Sequence, residues 1–124
     1  MRWLIDGMNV IGTRPDEWWT DRHAAMVGLV DLLERWVAVD GQDVTVVFEK
    51  PPVPPIRSTL ITVTHAPRPG RDSADDEIIR LLVADAEPGA VRVVTSDGFL
   101  AARVLAAGAA VEPASPFRAL LESL

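Results

Sequence analysis

The chain has 124 residues, a formal charge of −6 and no cysteine. This length fits one domain over residues 1–124, and the lack of thiols excludes disulfides and thiolate chemistry. The acidic balance argues against nucleic-acid binding through a broad basic surface. No apolar run approaches the ~20 residues that cross a bilayer, so we expect no membrane segment and a cytoplasmic location.

The first predicted element is a short apolar strand at residues 3–5, which Asp6 and Gly7 follow directly. A strand that is apolar on both faces is typical of the middle of a parallel sheet with helices on both sides. The end of such a strand borders the crevice where open α/β sheets bind ligands. Asp6 is therefore a candidate site residue, although an aspartate here can also simply accept hydrogen bonds from the following turn.

A long helix is predicted next, because apolar residues recur at helical spacing between residues 26 and 37. Thr20 or Asp16 is the expected cap of its first turn. Two adjacent tryptophans, Trp18 and Trp19, lie at the entrance of the helix. They can stack on a base, but packing beside a core helix is the interpretation we favour.

Residues 43–49 form the second predicted strand, rich in β-branched side chains and ending in the acid Glu49. Prolines then occupy four of the five positions 51–55, which predicts a stiff, extended loop. The alternation over residues 58–65 predicts a third strand nearer the edge of the sheet.

A basic loop over residues 66–71 leads into the second long helix, whose apolar residues continue to residue 84. Ser73 is the expected N-cap of this helix, and Asp76 three residues later resembles the partner in a capping box. Pro88 and Gly89 end this segment.

The remaining chain alternates between strands and helices. We expect a strand over residues 91–95, a helix over 99–107, a strand over 109–112 and a last helix opened by Ser115 and Pro116. The complete order predicts an α/β fold: a mainly parallel central sheet of about five strands with helices on both faces.

Three acids are predicted to reach the same edge of this sheet. Asp6 and Asp97 each follow an apolar strand, and Asp75 lies in the first turn of a helix. Asp75 shares the helix face of the apolar residues that pack on the sheet, whereas Asp76 is turned away. If the strands before Asp6 and Asp97 are neighbours, the three carboxylates converge in one crevice.

Converging carboxylates repel each other unless a cation compensates them. Mg²⁺ or Mn²⁺ is the expected ion because hard divalent cations prefer oxygen ligands, and it can activate water against a phosphodiester. His23 and His65 have no companion ligands nearby in the sequence, which argues against zinc. The alternatives are structural: acids complement a helix N-terminus, and Asp97 can cap the helix after it.

Four segments resemble, in this order, the motifs of NYN-domain proteins: residues 5–11, 46–49, 73–76 and 94–97. The most similar branch is the bacterial YacP-like ribonucleases of the PIN-like nuclease superfamily. The resemblance spans nearly the whole chain, and it implies a PIN-like three-layer sandwich and a metal-dependent RNA endonuclease.

The motif positions also imply roles for individual residues. Glu49 stands where related sequences usually have Asp, and Asp72 stands where the YacP-like pattern often has Glu. The resemblance implies that the catalytic and metal-binding residues are Asp6, Asp75 and Asp97, with auxiliary positions at Asn9, Glu49, Asp72, Asp76 and Ser96.

The resulting hypothesis is an endoribonuclease that uses Mg²⁺ or Mn²⁺ at this acidic edge. Arginines in the flanking loops are candidate contacts to the RNA backbone: Arg14, Arg57, Arg68 and Arg71. Ribosome association and a homodimer stay open. The alternative functions are a non-catalytic RNA- or ribosome-binding module with the same fold, and the toxin of a toxin–antitoxin pair.

Overall fold

The computed structural model describes residues 1–70 and 72–124. Five strands and five α-helices lie along these residues, together with 3₁₀ turns at Trp18–Thr20 and Pro88–Ala90. In chain order they are β1 (Arg2–Asp6), α1 (Gly7–Ile11), α2 (Arg22–Asp40), β2 (Asp43–Phe48), β3 (Thr62–His65), α3 (Ser73–Ala84), β4 (Val91–Val94), α4 (Gly98–Ala106), β5 (Ala110–Glu112) and α5 (Ala114–Glu122).

The five strands form one sheet in the order β3-β2-β1-β4-β5, and every pairing is parallel. This confirms the predicted α/β fold and the position of β3 at an edge. The chain winds from β1 toward one edge and from β4 toward the other. The carboxyl ends of β1 and β4 therefore border the topological switch point, where open α/β sheets form their ligand crevice.

Helices cover both faces of the sheet, which gives the predicted three layers. On one face α2 and α5 bury Leu33, Trp36 and Phe117, with α1 packed beside them. On the other face α3 and α4 bury Ile78 and Val104 against the strands. These two apolar clusters fix the helices whose first turns surround the crevice. Within the described residues, no helix is long and apolar enough to span a membrane.

Gly7 allows β1 to turn directly into α1. A Cβ at this position would lie 2.6 Å from Cε1 of Phe48, closer than side-chain atoms approach. Phe48 is completely buried and cannot move aside without disturbing the core. The absence of a side chain thus lets α1 start directly after β1, in close contact with Phe48 of β2.

The predicted cap of α2 was wrong. The cap is Asp21, whose Oδ1 accepts a hydrogen bond of 3.0 Å from the Ala24 amide. Thr20 ends a 3₁₀ turn instead, and its hydroxyl donates to the Glu17 carbonyl. Asp16 and Thr20 are both residue types that often cap helices. The 3₁₀ turn ends at Thr20, however, so the residue that follows it, Asp21, is the cap of α2. The short helix α1 was not predicted.

The predicted capping box of α3 was also wrong. Ser73 is the first helical residue, and its hydroxyl donates to the Glu49 carbonyl at 3.1 Å. Asp72 occupies the cap position in the left-handed conformation, with φ 61°, and its side chain makes no capping bond. Asp76 pairs with Arg103 at 3.0 Å. The contact between Ser73 and the end of β2 replaces the expected local cap.

Two further boundaries differ from the prediction. The third strand starts at residue 62 rather than 58, because the Ser58 hydroxyl accepts hydrogen bonds from the Leu60 and Ile61 amides in a turn. The last helix begins at Ala114, whose amide donates to Ser96 Oγ at 2.9 Å. Ser115 is therefore not the N-cap, because a side chain distant in sequence binds the first amide.

Candidate metal centre and substrate cleft

An open cleft of about 340 Å³ lies at the carboxyl ends of β1 and β4. Five acids and one cation are among the side chains around it, so the cleft is strongly negative. The lining residues are Asp6, Met8, Asn9, Trp18, Arg22, Glu49, Asp72, Ala74, Asp75 and Asp97.

Asp97 connects the strand side of the cleft to a helix. It follows β4 and caps α4, since its Oδ1 accepts hydrogen bonds from the amides of Phe99 at 2.9 Å and Leu100 at 3.1 Å. The structural alternative, in which Asp97 caps the helix after it, is therefore confirmed. Within the described residues, Oδ2 of Asp97 makes no hydrogen bond, so one oxygen holds the helix and the other is available to a ligand.

Asp6 is the most deeply buried acid of the cleft, with 6 % of its surface exposed. Its Oδ2 accepts a hydrogen bond of 2.8 Å from the Thr95 hydroxyl. Thr95 Oγ1 in turn accepts a bond of 3.1 Å from the Asp97 amide. Thr95 thus links two of the predicted acids. In the sequence, Thr95 is only the end of a predicted strand, and its sole distinguishing signal is a polar side chain after an apolar run.

The tightest group of acids differs by one residue from the predicted set. This group consists of Asp72, Asp75 and Asp97. Each contributes one carboxylate oxygen, and the three oxygens lie within 4.8 Å of one another. Asp75 reaches this group from the first turn of α3, as its helix face predicted, and Asp72 reaches it from the position before that helix. Asp6 lines the same cleft but is not part of this compact group.

The crowding of these acids changes their proton affinity. Burial raises the pKa of Asp6 from 3.8 to about 7; the Thr95 hydrogen bond opposes this rise, and repulsion by Asp75 and Asp97 adds to it. Burial also raises the pKa of Asp75 to about 6, with repulsion by Asp97 and Asp72 next in size and Arg103 opposing. Without a cation, the cleft thus disfavours full ionisation of its own acids.

The donor set fits a hard divalent cation. The converging groups are all carboxylates, and such oxygen-only sites suit Mg²⁺ or Mn²⁺ rather than zinc. Neither histidine lines the cleft: His23 Nε2 contacts the Pro54 carbonyl, and His65 Nδ1 contacts the Ala66 carbonyl.

The auxiliary residues differ in what they do. Asn9 lines the cleft, and its Oδ1 accepts a bond of 2.8 Å from the Ser96 amide. Ser96 therefore joins α1 and α5 to the loop that carries Asp97. Glu49 lines the cleft with an exposed side chain. Asp76 points elsewhere, toward Arg103, as its position on the helix predicted.

The arginines proposed as RNA contacts are not among the residues that line the cleft. Arg14 forms an ion pair with Glu122, Arg57 is exposed, and Arg68 lines a different depression beside Arg80. Arg71 lies outside the described residues. Their RNA contacts stay predictions.

The cation that does line the cleft, Arg22, was not singled out from the sequence. Its guanidinium carbon lies 5.1 Å from the ring centroid of Trp18, which also lines the cleft. The cleft is therefore lined by an aromatic and cationic pair as well as by its acids. Arg22 sits at the start of α2 without any motif around it, so no sequence pattern indicates this role.

Comparisons with known proteins identify the family and the fold. The profile of the YacP-like NYN domain matches residues 3–124. The fold is similar to the crystal structure of Rae1 (YacP) from Bacillus subtilis, with 22% identity and a TM-score of 0.82 over 99% of this chain and 74% of that chain. A mutant of that protein gives 21% identity and a TM-score of 0.79 over 99% and 75%. A search of curated proteins found no match.

Proposed function

This chain belongs to the YacP-like NYN domain family, and from that premise we propose that it is a metal-dependent endoribonuclease. Its substrate is RNA, and its reaction is hydrolysis of phosphodiester bonds at the acidic cleft. The family has a nuclease-type fold. The sequence identity of this chain to the solved Rae1 (YacP) structures is low, so the proposal rests on the residues of this chain.

The observation that carries the proposal is the approach of three carboxylates from separate segments. Oxygens of Asp72, Asp75 and Asp97 within 4.8 Å repel one another in a partly buried cleft. Asp6 is a fourth acid in this cleft, and burial together with the charges of Asp75 and Asp97 raises its pKa. Structural roles explain Asp97 as a cap and favour acids at the start of α3, but neither role requires Asp72 and Asp75 to approach Asp97 this closely. A bound divalent cation removes this repulsion.

The chain's own residues provide the binding and orientation. Asp75 and Asp97 are the expected ligands of the cation, Asp72 completes the compact group, and Asp6 is a further acid in reach of the same cleft. When bound, Mg²⁺ or Mn²⁺ supplies an activated water and neutralises charge on the phosphodiester. Thr95 fixes the distance between the buried Asp6 and the Asp97 backbone.

The test uses the purified chain with a labelled single-stranded RNA. We expect internal cleavage with Mn²⁺ or Mg²⁺, and complete loss of cleavage in EDTA that is restored by excess Mn²⁺. Calorimetric titration with Mn²⁺ accompanies the assay. Absence of binding at millimolar Mn²⁺ together with RNA binding without cleavage would replace the enzyme by the non-catalytic RNA-binding module.

Further properties of this enzyme concern its location, its partners and its oligomeric state. We propose a cytoplasmic RNA as the substrate, while ribosome association, a homodimer and action as a toxin stay predictions. Sedimentation with ribosomes, mass in solution and growth arrest on expression measure these three properties separately.

A further inference from the structure

Most cations in the described part of the chain are already paired with an acid. Six arginines form ion pairs within the protein: Arg2, Arg14, Arg80, Arg92, Arg103 and Arg118. Arg22 and Lys50 have no such partner in the described residues, and both lie beside the acidic cleft. Their charges are therefore available to a ligand there.

Arg22 and Lys50 border one small depression that adjoins the cleft. Met8, Met26 and Phe48 give it an apolar floor, and Arg22, Met8 and Glu49 belong to the cleft as well. The depression is only about 30 Å³, too small to enclose a nucleotide. It is a shallow continuation of the cleft with two cations on its border.

Trp18 holds Arg22 in place. The guanidinium carbon lies 5.1 Å from the indole centroid, and Trp18 itself is half-buried against the core. A guanidinium over the face of an indole is attracted to the ring, while its N–H donors stay available for other partners. No hydrogen bond of Arg22 to the described residues uses these donors, so they are free to meet a planar or tetrahedral anion.

We propose that Arg22 and Lys50 bind the phosphates of the RNA strand next to the scissile bond, and that Trp18 is the positioning residue for Arg22. The inference rests on the proposed function. Five acids line the cleft against one cation, Arg22, so the strand needs cations beside the metal centre to offset repulsion of its backbone. This fixes the side on which the strand leaves the cleft, toward α2 and the end of β2.

Removing the charge of Arg22 or of Lys50 tests the proposed path of the RNA strand. We expect Arg22→Gln and Lys50→Gln each to raise KM for RNA about tenfold, with kcat changed less than about twofold. The slope of log KM against log salt should fall by about 0.7 for each variant, the value for one phosphate contact on a single strand. Arg35→Gln is the matched control, because it removes the same charge about 20 Å along α2.

The aromatic support is tested by three further variants. Trp18→Leu keeps apolar packing but removes the ring, and we expect it to raise KM about threefold and to reduce the salt slope. Trp18→Phe should restore most of both values, whereas Trp19→Leu should change neither. A purely structural role of Trp18 would lower the melting temperature and leave the salt slope unchanged.

Equilibrium binding distinguishes failure of the proposed strand path from failure of the proposed function. The same substitutions are made in Asp97→Asn protein, and binding of a labelled RNA is followed by fluorescence anisotropy. Equal RNA affinity and equal salt slope for Arg22→Gln, Lys50→Gln and Arg35→Gln overturn the path while the proposed function stands. Wild-type protein that neither binds nor cleaves RNA overturns the proposed function, and the path with it.

Discussion

Replacing Asp97 by asparagine is expected to abolish Mn²⁺ binding in the millimolar range and to lower kcat for RNA at least about 100-fold. The fold should survive, because asparagine caps a helix about as well as aspartate. The amides of Phe99 and Leu100 therefore keep their acceptor. What the variant loses is one negative charge and one anionic oxygen in the compact group of acids.

The measurements are Mn²⁺ calorimetry, RNA cleavage and the melting temperature of the same preparations. Asp31→Asn is the control: it removes one charge from an exposed position of α2 outside the cleft and should leave all three values unchanged. Asp97→Ala should lose activity equally and in addition about 1 kcal/mol of stability, because the cap is lost. Full cleavage by folded Asp97→Asn protein would refute the role of this acid.

The metal-free protein is expected to become less stable as the pH rises from about 4 to about 7. In the folded state the pKa of Asp6 is raised from 3.8 to about 7 and that of Asp75 to about 6. Between these values the folded chain binds more protons than the unfolded chain, so the free energy of unfolding falls with rising pH. For Asp6 the total loss is of the order of a few kcal/mol.

Two acids outside the cleft have lowered pKa values, and they do not obscure this window. The pKa values of Glu77 and Asp85 are lowered by their partners Arg80 and Arg2. Carboxylates with lowered pKa lose their contribution only as the pH falls below their ordinary values near 4. A decrease in stability between about pH 5 and about pH 7 therefore reports on the raised groups in the cleft.

Thermal denaturation in EDTA across this range measures the effect. Asp6→Asn should flatten the pH dependence, because it removes the acid with the larger rise in pKa. Saturating Mn²⁺ at neutral pH should restore the lost stability, with about 2.7 kcal/mol expected at a free concentration of 100 times Kd. Stability that increases with pH throughout this window in EDTA, or that ignores Mn²⁺, would contradict the electrostatic account.

Three acids of the cleft, Asp6, Asp75 and Asp97, could be predicted because their placement follows from local rules. An apolar strand delivers Asp6 to the edge of the sheet, and helical periodicity turns Asp75 toward the sheet and Asp76 away. The adjacency of β1 and β4 was stated as a condition, and the observed strand order satisfies it. Strand length, helix face and residue type thus placed each acid at the edge of the sheet, and the strand order brought them together.

The remaining features depend on contacts between distant segments. In the sequence, Thr95 resembles any other β-branched strand residue. Its role follows from the hydrogen bond that its hydroxyl donates to Asp6. The proposed role of Arg22 depends on Trp18, which a 3₁₀ turn places beside it. The Ser73 hydroxyl binds a carbonyl of β2 instead of capping its own helix. Periodicity and propensity describe neighbours in sequence and cannot indicate such pairs.

The most direct test of the central claim is a crystal of this protein soaked in Mn²⁺ and measured at a wavelength where manganese scatters anomalously. We predict a peak about 2.1 Å from carboxylate oxygens of Asp75 and Asp97, with Asp72 or Asp6 as the next ligand. Clear density for all four side chains and no anomalous peak between them at millimolar Mn²⁺ would contradict the account.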